Sequence, residues 1–309
     1  MKKATPSPPG SSEKTPEIYE TIKLSHSKSG YPIEALCALV HVSRASYYDW
    51  ASGRKCGREV TNLQIAGMIE HIHDEDPSKG YRRIADDLRK THKVKISDSR
   101  VHRICSAINV KSTIKYGIKG CTRHEKSPWR TAENILNREF HADAPNQKWL
   151  TDVTEFKWHE GPVIHKLYLS AILDLYDRRI VAYSISDHND NGLVFTTFDR
   201  AVKNNPGAHP LFHSDRGYQY TSKPFCVKLQ RYGMQQSMSR VGRCIDNGPM
   251  EGFWGILKRE RYYGRKFTDR LELIKMIVNY ISYYNNRRLQ RNLGVLTPME
   301  KHNLFMQAA

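Results

Sequence analysis

The sequence predicts an α/β layered domain preceded by an all-α region. Three observations lead there. Up to about residue 110, apolar residues recur at helical spacing between turn signals. From Lys148, three β-rich runs follow one another across short turns. After Ser186, helical patterns alternate with short apolar strands. At 309 residues the chain has room for more than one domain, and 39% hydrophobic content suits a folded protein.

Residues 1–16 are Lys-, Ser- and Pro-rich and read as a disordered tail. Within 17–56, Pro32 opens a helix carrying Leu36, Leu39 and Val40. His41-Val42 breaks it, and Ser43 is a good N-cap for a second helix, Arg44 to Trp50. Two short helices with a tight joint read as helix-turn-helix-like, with a plain helical hairpin as the alternative. A second helical unit is expected over 57–110. Leu63, Ile65, Ile69 and Ile72 mark its first helix. Tyr81 to Lys90 turns Ile84, Ala85 and Leu88 inward and Arg82, Arg83 and Arg89 outward. A third helix begins near Ser97-Asp98 and aligns Val101, Ile104, Cys105 and Ile108, with Arg100, His102 and Arg103 elsewhere. Residues 111–147 read as a basic linker with Lys115, Lys119, Arg123 and Lys126, broken by Gly117, Gly120 and Pro128.

The α/β core is expected over 148–268. Trp149–Trp158, Val163–Leu175 and Ile180–Ser186 form an antiparallel meander. A helix over 192–204, a short strand at 209–213, a helix over 224–232, a loop over 237–247 and a helix from Pro249 follow. The last segment, 269–309, is a helical extension with Leu271, Ile274, Val278 and Ile281 on one face, packed on the core or at a subunit interface.

The formal net charge is +17. Such an excess calls for a polyanion, and nucleic acid is the first candidate because neutralised phosphates release counterions. No apolar run reaches about 18 residues, so no membrane span is expected, and the N-terminus lacks a signal-peptide core. The six cysteines contain no CxxC pair, which points to reduced thiols in a cytoplasm. His71, His73, Cys105 and Cys121 lack the close pairing of structural zinc sites.

Three acids stand out. Asp152 lies inside a strand pattern that otherwise reads as core, where a carboxylate is costly unless paired or metal-bound. Asp215 follows an apolar strand, at the end where α/β ligands collect. Glu251 lies one turn into the helix that Pro249 begins. An oxygen-only set of this kind suits Mg²⁺, and a pair of such ions can activate a nucleophile and stabilise a departing oxygen. Asp174, in the second strand, is a fourth acid whose face the pattern leaves open. Lys258 is two helical turns beyond Glu251 on the same face, with Trp254 and Gly255 between them. Lys258 and Arg259 are expected to grip phosphate. Arg240 and Arg243, beside Gly242 and Gly248, form a basic loop suited to a DNA end. The remaining DNA-contact candidates are Arg44, Tyr47, Arg82, Arg83, Arg100 and Arg103.

Thirty-five residues separate Asp215 from Glu251. With Asp152 upstream, this resembles the D,D(35)E signature of retroviral-integrase-like recombinases. The runs Lys148–Thr154, His213–Ser222, Ser237–Arg240 and Asp246–Trp254 are similar to bacterial insertion-sequence transposases. The match is to the OrfB product of elements with overlapping OrfA and OrfB frames, and Tyr283–Arg288 and Leu296–Glu300 resemble the same family's C-terminus. The resemblance runs from about Asp76 to His302 and is most specific from 148 onward. Gly248-Pro249 and Gly252 depart from many relatives without touching an expected ligand. The resemblance implies an RNase H-like mixed sheet with helices on both sides. It implies two Mg²⁺ (or Mn²⁺) ions held by Asp152, Asp215 and Glu251. It implies double-stranded DNA as partner, both terminal inverted repeats and target DNA, with a homo-oligomer acting on paired ends. Three alternatives stay open: a non-catalytic DNA-binding regulator, a nuclease that cuts without joining, and a product that works only with OrfA or as an OrfA–OrfB fusion.

Overall fold

The computed structural model describes residues 15–53, 57–114, 132–241 and 243–308. Residues 1–14 of the expected tail, Cys56, Gly242 and the linker positions Lys115, Gly117, Lys119, Gly120, Cys121, Arg123, Lys126 and Pro128 lie outside them. The chain forms two compact units, Met1–Glu75 with Ser99–Val110, and Asp76–Asp98 with Lys111–Ala309.

Among the described residues six helices precede the sheet: α1 (Thr15–Ser29), α2 (Ile33–Leu39), α3 (Arg44–Ala51), α4 (Gly57–Glu75), α5 (Tyr81–Lys90) and α6 (Asp98–Ala107). In the first unit, α1 packs on α2 and α3 around buried Tyr19, Ile22, Cys37 and Tyr47. The Ser43 hydroxyl caps α3 as expected, accepting from the Ser46 N–H at 3.0 Å. Helix α1 is an addition to the expected pair. Its apolar stripe, Ile18, Tyr19 and Ile22, is too short to mark a helix alone and is buried only against its neighbours. Tyr47 requires a correction. It is 4% exposed, with its ring 6.1 Å from Tyr19 and 5.9 Å from Trp50, so it packs the core instead of facing DNA. Helix α6 is tied to α4 by Arg100, whose Nε and Nη2 both donate to Asn62 Oδ1.

The second unit holds a five-stranded mixed sheet in the order β3-β2-β1-β4-β5. Strands β1 (Lys148–Glu160), β2 (Val163–Asp174) and β3 (Ile180–Ser186) form the expected antiparallel meander. Helix α7 (Asn191–Asn204) leads to β4 (Leu211–Ser214), which pairs parallel to β1. The short α8 (Tyr218–Thr221) and α9 (Lys223–Arg231) lead to β5 (Gln235–Met238), parallel to β4. A 3-10 turn at Cys244–Asn247 enters α10 (Gly248–Leu257), which runs into a π-helical turn at Lys258–Tyr262. Helices α11 (Arg270–Asn286) and α12 (Pro298–Ala308) complete the chain.

Alternation along the strands sorts the core into two layers. On one face Trp149, Ile172 and Phe212 meet Val194 and Phe198 of α7 and Phe225 and Leu229 of α9. On the other, Leu150, Phe156, Leu169 and Ala171 meet Phe253 and Leu257 of α10 and Leu273, Ile277 and Tyr284 of α11. The arrangement is RNase H-like. Helix α11 is therefore a layer of the core rather than an extension to it. The expected linker is also core at its end, because Leu136 and Ala142 are buried in the second layer. No helix among the described residues is long and apolar enough to cross a membrane.

Helix α5, expected to stand in a helical unit over 57–110, belongs to the sheet unit. Arg83, expected to face DNA, donates to Glu260 at 3.0 Å and to the Tyr283 hydroxyl at 2.6 Å. Glu260, from the π turn, is buried and also accepts from Arg288 at 2.8 Å and Tyr280 at 3.0 Å. Asp76 accepts from Arg261 at 3.0 Å. Burial raises the pKa of Glu260, but Arg288 and Arg83 outweigh it and hold the carboxyl below its ordinary 4.5. Asp76 is likewise held well below the usual carboxylate range, burial being outweighed by Arg261, Ser78 and Arg83.

Breaking such a buried pair leaves an uncompensated charge, so Glu260→Gln should cost about 3 kcal/mol in urea unfolding. Both carboxyls titrate lower folded than unfolded. Their stabilisation should be complete above about pH 4.5 and lost as pH falls through the folded values. Unfolding midpoints measured from pH 6 to 3 should fall for the wild type and fall less for Glu260→Gln.

Candidate active site

Strand β1 lies at the centre of the sheet, and Asp152 sits in its middle, opposite Ala171 of β2. The β1–β4 ladder pairs Leu150 with His213. The ladder ends there, and Asp215, two residues past His213, is near enough for its charge to act on Asp152. Asp215 leaves β4 in a tight turn in which its Oδ1 accepts from the Gly217 N–H at 2.9 Å. A Cβ on Gly217 would stand 3.0 Å from that oxygen and 3.1 Å from Gln219 Oε1, so only glycine gives the carboxylate this room.

Glu251 arrives on α10, which is tied to β1 at successive residues. Asn247 Nδ2 donates to the Thr151 carbonyl at 3.1 Å, and Trp254 Nε1 donates to Asp152 Oδ2 at 3.0 Å. Farther on, the Lys258 ammonium lies 5.1 Å from the Phe156 ring centroid, and the Tyr262 hydroxyl accepts from the Lys157 N–H at 2.8 Å. Met250, Phe253, Trp254 and Leu257 turn into the core, which leaves Glu251 exposed.

The three carboxylates share one electrostatic neighbourhood. Burial, then the charge of Asp215, pushes the Asp152 carboxyl up to about 7, with Glu251 adding a smaller push. Hydrogen bonds from the Val153 N–H and from Trp254 work the other way. Burial alone raises Glu251. The acids do not close into a ligand cage: among the described residues no group of three His, Cys, Asp or Glu side chains is placed to hold a metal ion. Their oxygen-only chemistry nonetheless fits a hard divalent cation, which would offset the repulsion that lifts Asp152.

Asp174 stands apart. It is fully buried at the end of β2 and accepts from the main chain of Asn146 and Tyr176 at 2.6 and 2.8 Å. Burial, then Asp177, pushes it up to about 6. It anchors the turn after β2, and the acid whose charge acts on it is Asp177.

The basic candidates divide. Arg240 is drawn into the fold, its Nε and Nη2 reaching Asp246 at 2.8 and 2.9 Å. Asp246 is fully buried and also accepts from Arg138 at 2.6 Å. Arg240 foremost, against desolvation and with help from Arg138, holds the Asp246 carboxyl well below its usual range. Arg243 is exposed, as are Arg44, Arg82 and Arg103, while Arg44 pairs with Glu34 at 2.9 Å. Arg259 folds back over Gly255, where an added Cβ would meet its Nη1 at 2.8 Å. Sequence reading missed the supporting polar groups. His213, buried, lies between the Ser237 and Ser239 hydroxyls at 2.9 and 3.1 Å. Burial pushes it down to about 4, so it is neutral near pH 7. The runs quoted above contain these residues, but their type alone does not separate a packed histidine from a reactive one.

Residues 142–244 and 251–304 match two integrase core domain families, and residues 61–116 match an HTH-like domain. Sheet, helices and these matches define an integrase-type core with an HTH-like domain before it. The putative transposase InsK for insertion sequence element IS150 of Escherichia coli (strain K12) is 34% identical, over 91% of this chain and 96% of its own length. The transposase for insertion sequence element IS904 of Lactococcus lactis subsp. lactis is 38% identical, over 82% and 98%. The HTLV-2 integrase catalytic core domain in complex with magnesium is 19% identical over 52% of this chain and 99% of that one, with a TM-score of 0.40. The chain belongs to the insertion-sequence transposases, as an OrfB-type member of the IS3 family.

Gly217→Ala should crowd the Asp215 carboxylate out of place. The expected result is a fall of about 10- to 100-fold in DNA strand cleavage with an unchanged circular dichroism spectrum.

Proposed function

We propose that the chain cleaves and rejoins DNA strands at the ends of an insertion sequence, with Asp152, Asp215 and Glu251 holding the divalent cations of the reaction. One observation carries this reading. Asp152 lies on β1 and Asp215 directly follows β4, the parallel neighbour of β1, and the helix that bears Glu251 is bonded to β1 at Thr151 and Asp152. Mg²⁺ is the expected ion, with Mn²⁺ as a substitute and two per site. Bound there, such ions supply a nucleophile at neutral pH and neutralise the departing oxygen.

The protein's own residues do the rest. Asp152 and Asp215 would hold the cations against the scissile phosphate. Glu251 makes no hydrogen bond or ion pair among the described residues, and its side chain is free to complete the set. Lys258, Arg259 and Arg243 draw the phosphate backbone toward the acids. The first step breaks a phosphodiester with water and leaves a 3′ hydroxyl. In the second, that hydroxyl attacks another phosphodiester, one P–O bond forming as another breaks. No covalent protein intermediate is required. Arg44, Arg82 and Arg103 are the candidates for holding terminal inverted repeats, and Tyr47, Arg83, Arg100 and Arg240 are withdrawn because the fold uses them. Paired ends call for a homo-oligomer, with an OrfA product or fusion as a further partner.

Asp152→Asn, Asp215→Asn and Glu251→Gln should each abolish cleavage of labelled element-end DNA in Mg²⁺ and leave its binding within about two-fold. A variant that cleaves near the wild-type rate removes that residue from the ligand set. Nicked DNA without joined product would make the chain a nuclease.

A further inference from the structure

We propose that Trp254 is a positioning residue for the Asp152 carboxylate and, together with Asn247, sets where Glu251 stands relative to it. This rests on the reading of the three acids given above. The Asp152 carboxylate is fixed at both oxygens: Oδ1 accepts from the Val153 N–H at 2.8 Å, and Oδ2 from Trp254 Nε1 at 3.0 Å. One donor on each oxygen locks the plane of the group and leaves each with a lone pair to offer. An indole N–H suits the task. It is a donor only, it does not titrate, and it cannot compete with the carboxylate as a ligand.

Trp254 is 6% exposed, so water does not replace this bond, and its ring lies 5.0 Å from that of Phe253 in the core. The side chain reaches back toward the start of α10, as long helical side chains do. Asn247 provides the second tie, to the Thr151 carbonyl, and is itself buried with its Oδ1 unpaired among the described residues. Two bonds to neighbouring residues of β1 therefore bracket Glu251, which lies four residues after one and three before the other. The helix can neither slide nor turn against the strand without breaking one of them.

The test uses the full chain and Trp254→Phe, which keeps an aromatic ring in the core and removes the N–H donor together with part of the indole. Four quantities are read: the cleavage rate at saturating element-end DNA, DNA affinity, the dissociation constant for Mn²⁺ by calorimetry, and the melting temperature. A positioning role predicts a rate lower by about 10- to 100-fold and Mn²⁺ binding weaker by about 10-fold. DNA affinity and melting temperature should stay at wild-type values. Asn247→Ala should give the same pattern, and it serves as the second probe should the indole prove essential for folding. Wild-type rate and Mn²⁺ affinity in both variants overturn the proposal, as does a loss of rate that only tracks a lower melting temperature. If the wild-type chain itself neither binds Mn²⁺ nor cleaves, the reading of the three acids fails and takes this one with it.

Discussion

The constraint on which the rest of this structure depends is repulsion between carboxylates inside a packed sheet. Asp152 occupies a β1 position whose neighbours on the same face, Leu150 and Phe156, are wholly buried. Asp215 follows the end of the next strand, β4, and its charge acts on Asp152. Left to solvent and entropy, two such charges would move apart or take up a proton. Here the parallel β1–β4 pairing fixes their spacing, and a hydrophobic layer on each side of the sheet makes that pairing stiff.

The chain's basic character serves two purposes that composition cannot separate. Part of the excess of Lys and Arg is spent on internal anions. Arg83 and Arg288 meet at Glu260, Arg261 reaches Asp76, and Arg138 and Arg240 meet at Asp246. These guanidiniums are planar, always charged and able to bond through several N–H groups, which makes them suited to buried carboxylates. The C-terminal run from Tyr283 to Arg288 belongs to this internal set. Tyr283 and Arg288 serve the Glu260 cluster, and Asn285 bonds both the N–H and the carbonyl of Ile180 at the start of β3.

Much of the fold could be read in advance because its signals are local. The β3 boundaries follow from a β-branched run between a turn and a polar stretch, and α11 begins where Asp269 caps it. Two of the acids were legible as charges in apolar patterns, and Glu251 by its place in a helix start. Strand β5 was not legible. Gln235–Met238 is polar on paper, and it is a strand only because β4 offers it an edge. Tyr47 and Arg83 were misread for a related reason. Helical spacing says which residues share a face, but only tertiary packing decides whether that face meets solvent. The bonds from Trp254 to Asp152 and from Asn247 to Thr151 join residues about 100 apart in sequence, and no periodicity carries that information.

Asp246 has a consequence for how this protein can be dissected. Its carboxylate is bonded from two directions, by Arg240 within its own loop and by Asn134 and Arg138 from the stretch ahead of β1. The same stretch places the main-chain N–H groups of Ile135 and Leu136 on the Ser237 hydroxyl. A fragment begun at Gln147 or Lys148, where strand-like sequence starts, would discard these donors and leave the buried anion to Arg240 alone. A fragment that keeps Asp246 bonded from both directions has to start upstream of Asn134, before β1.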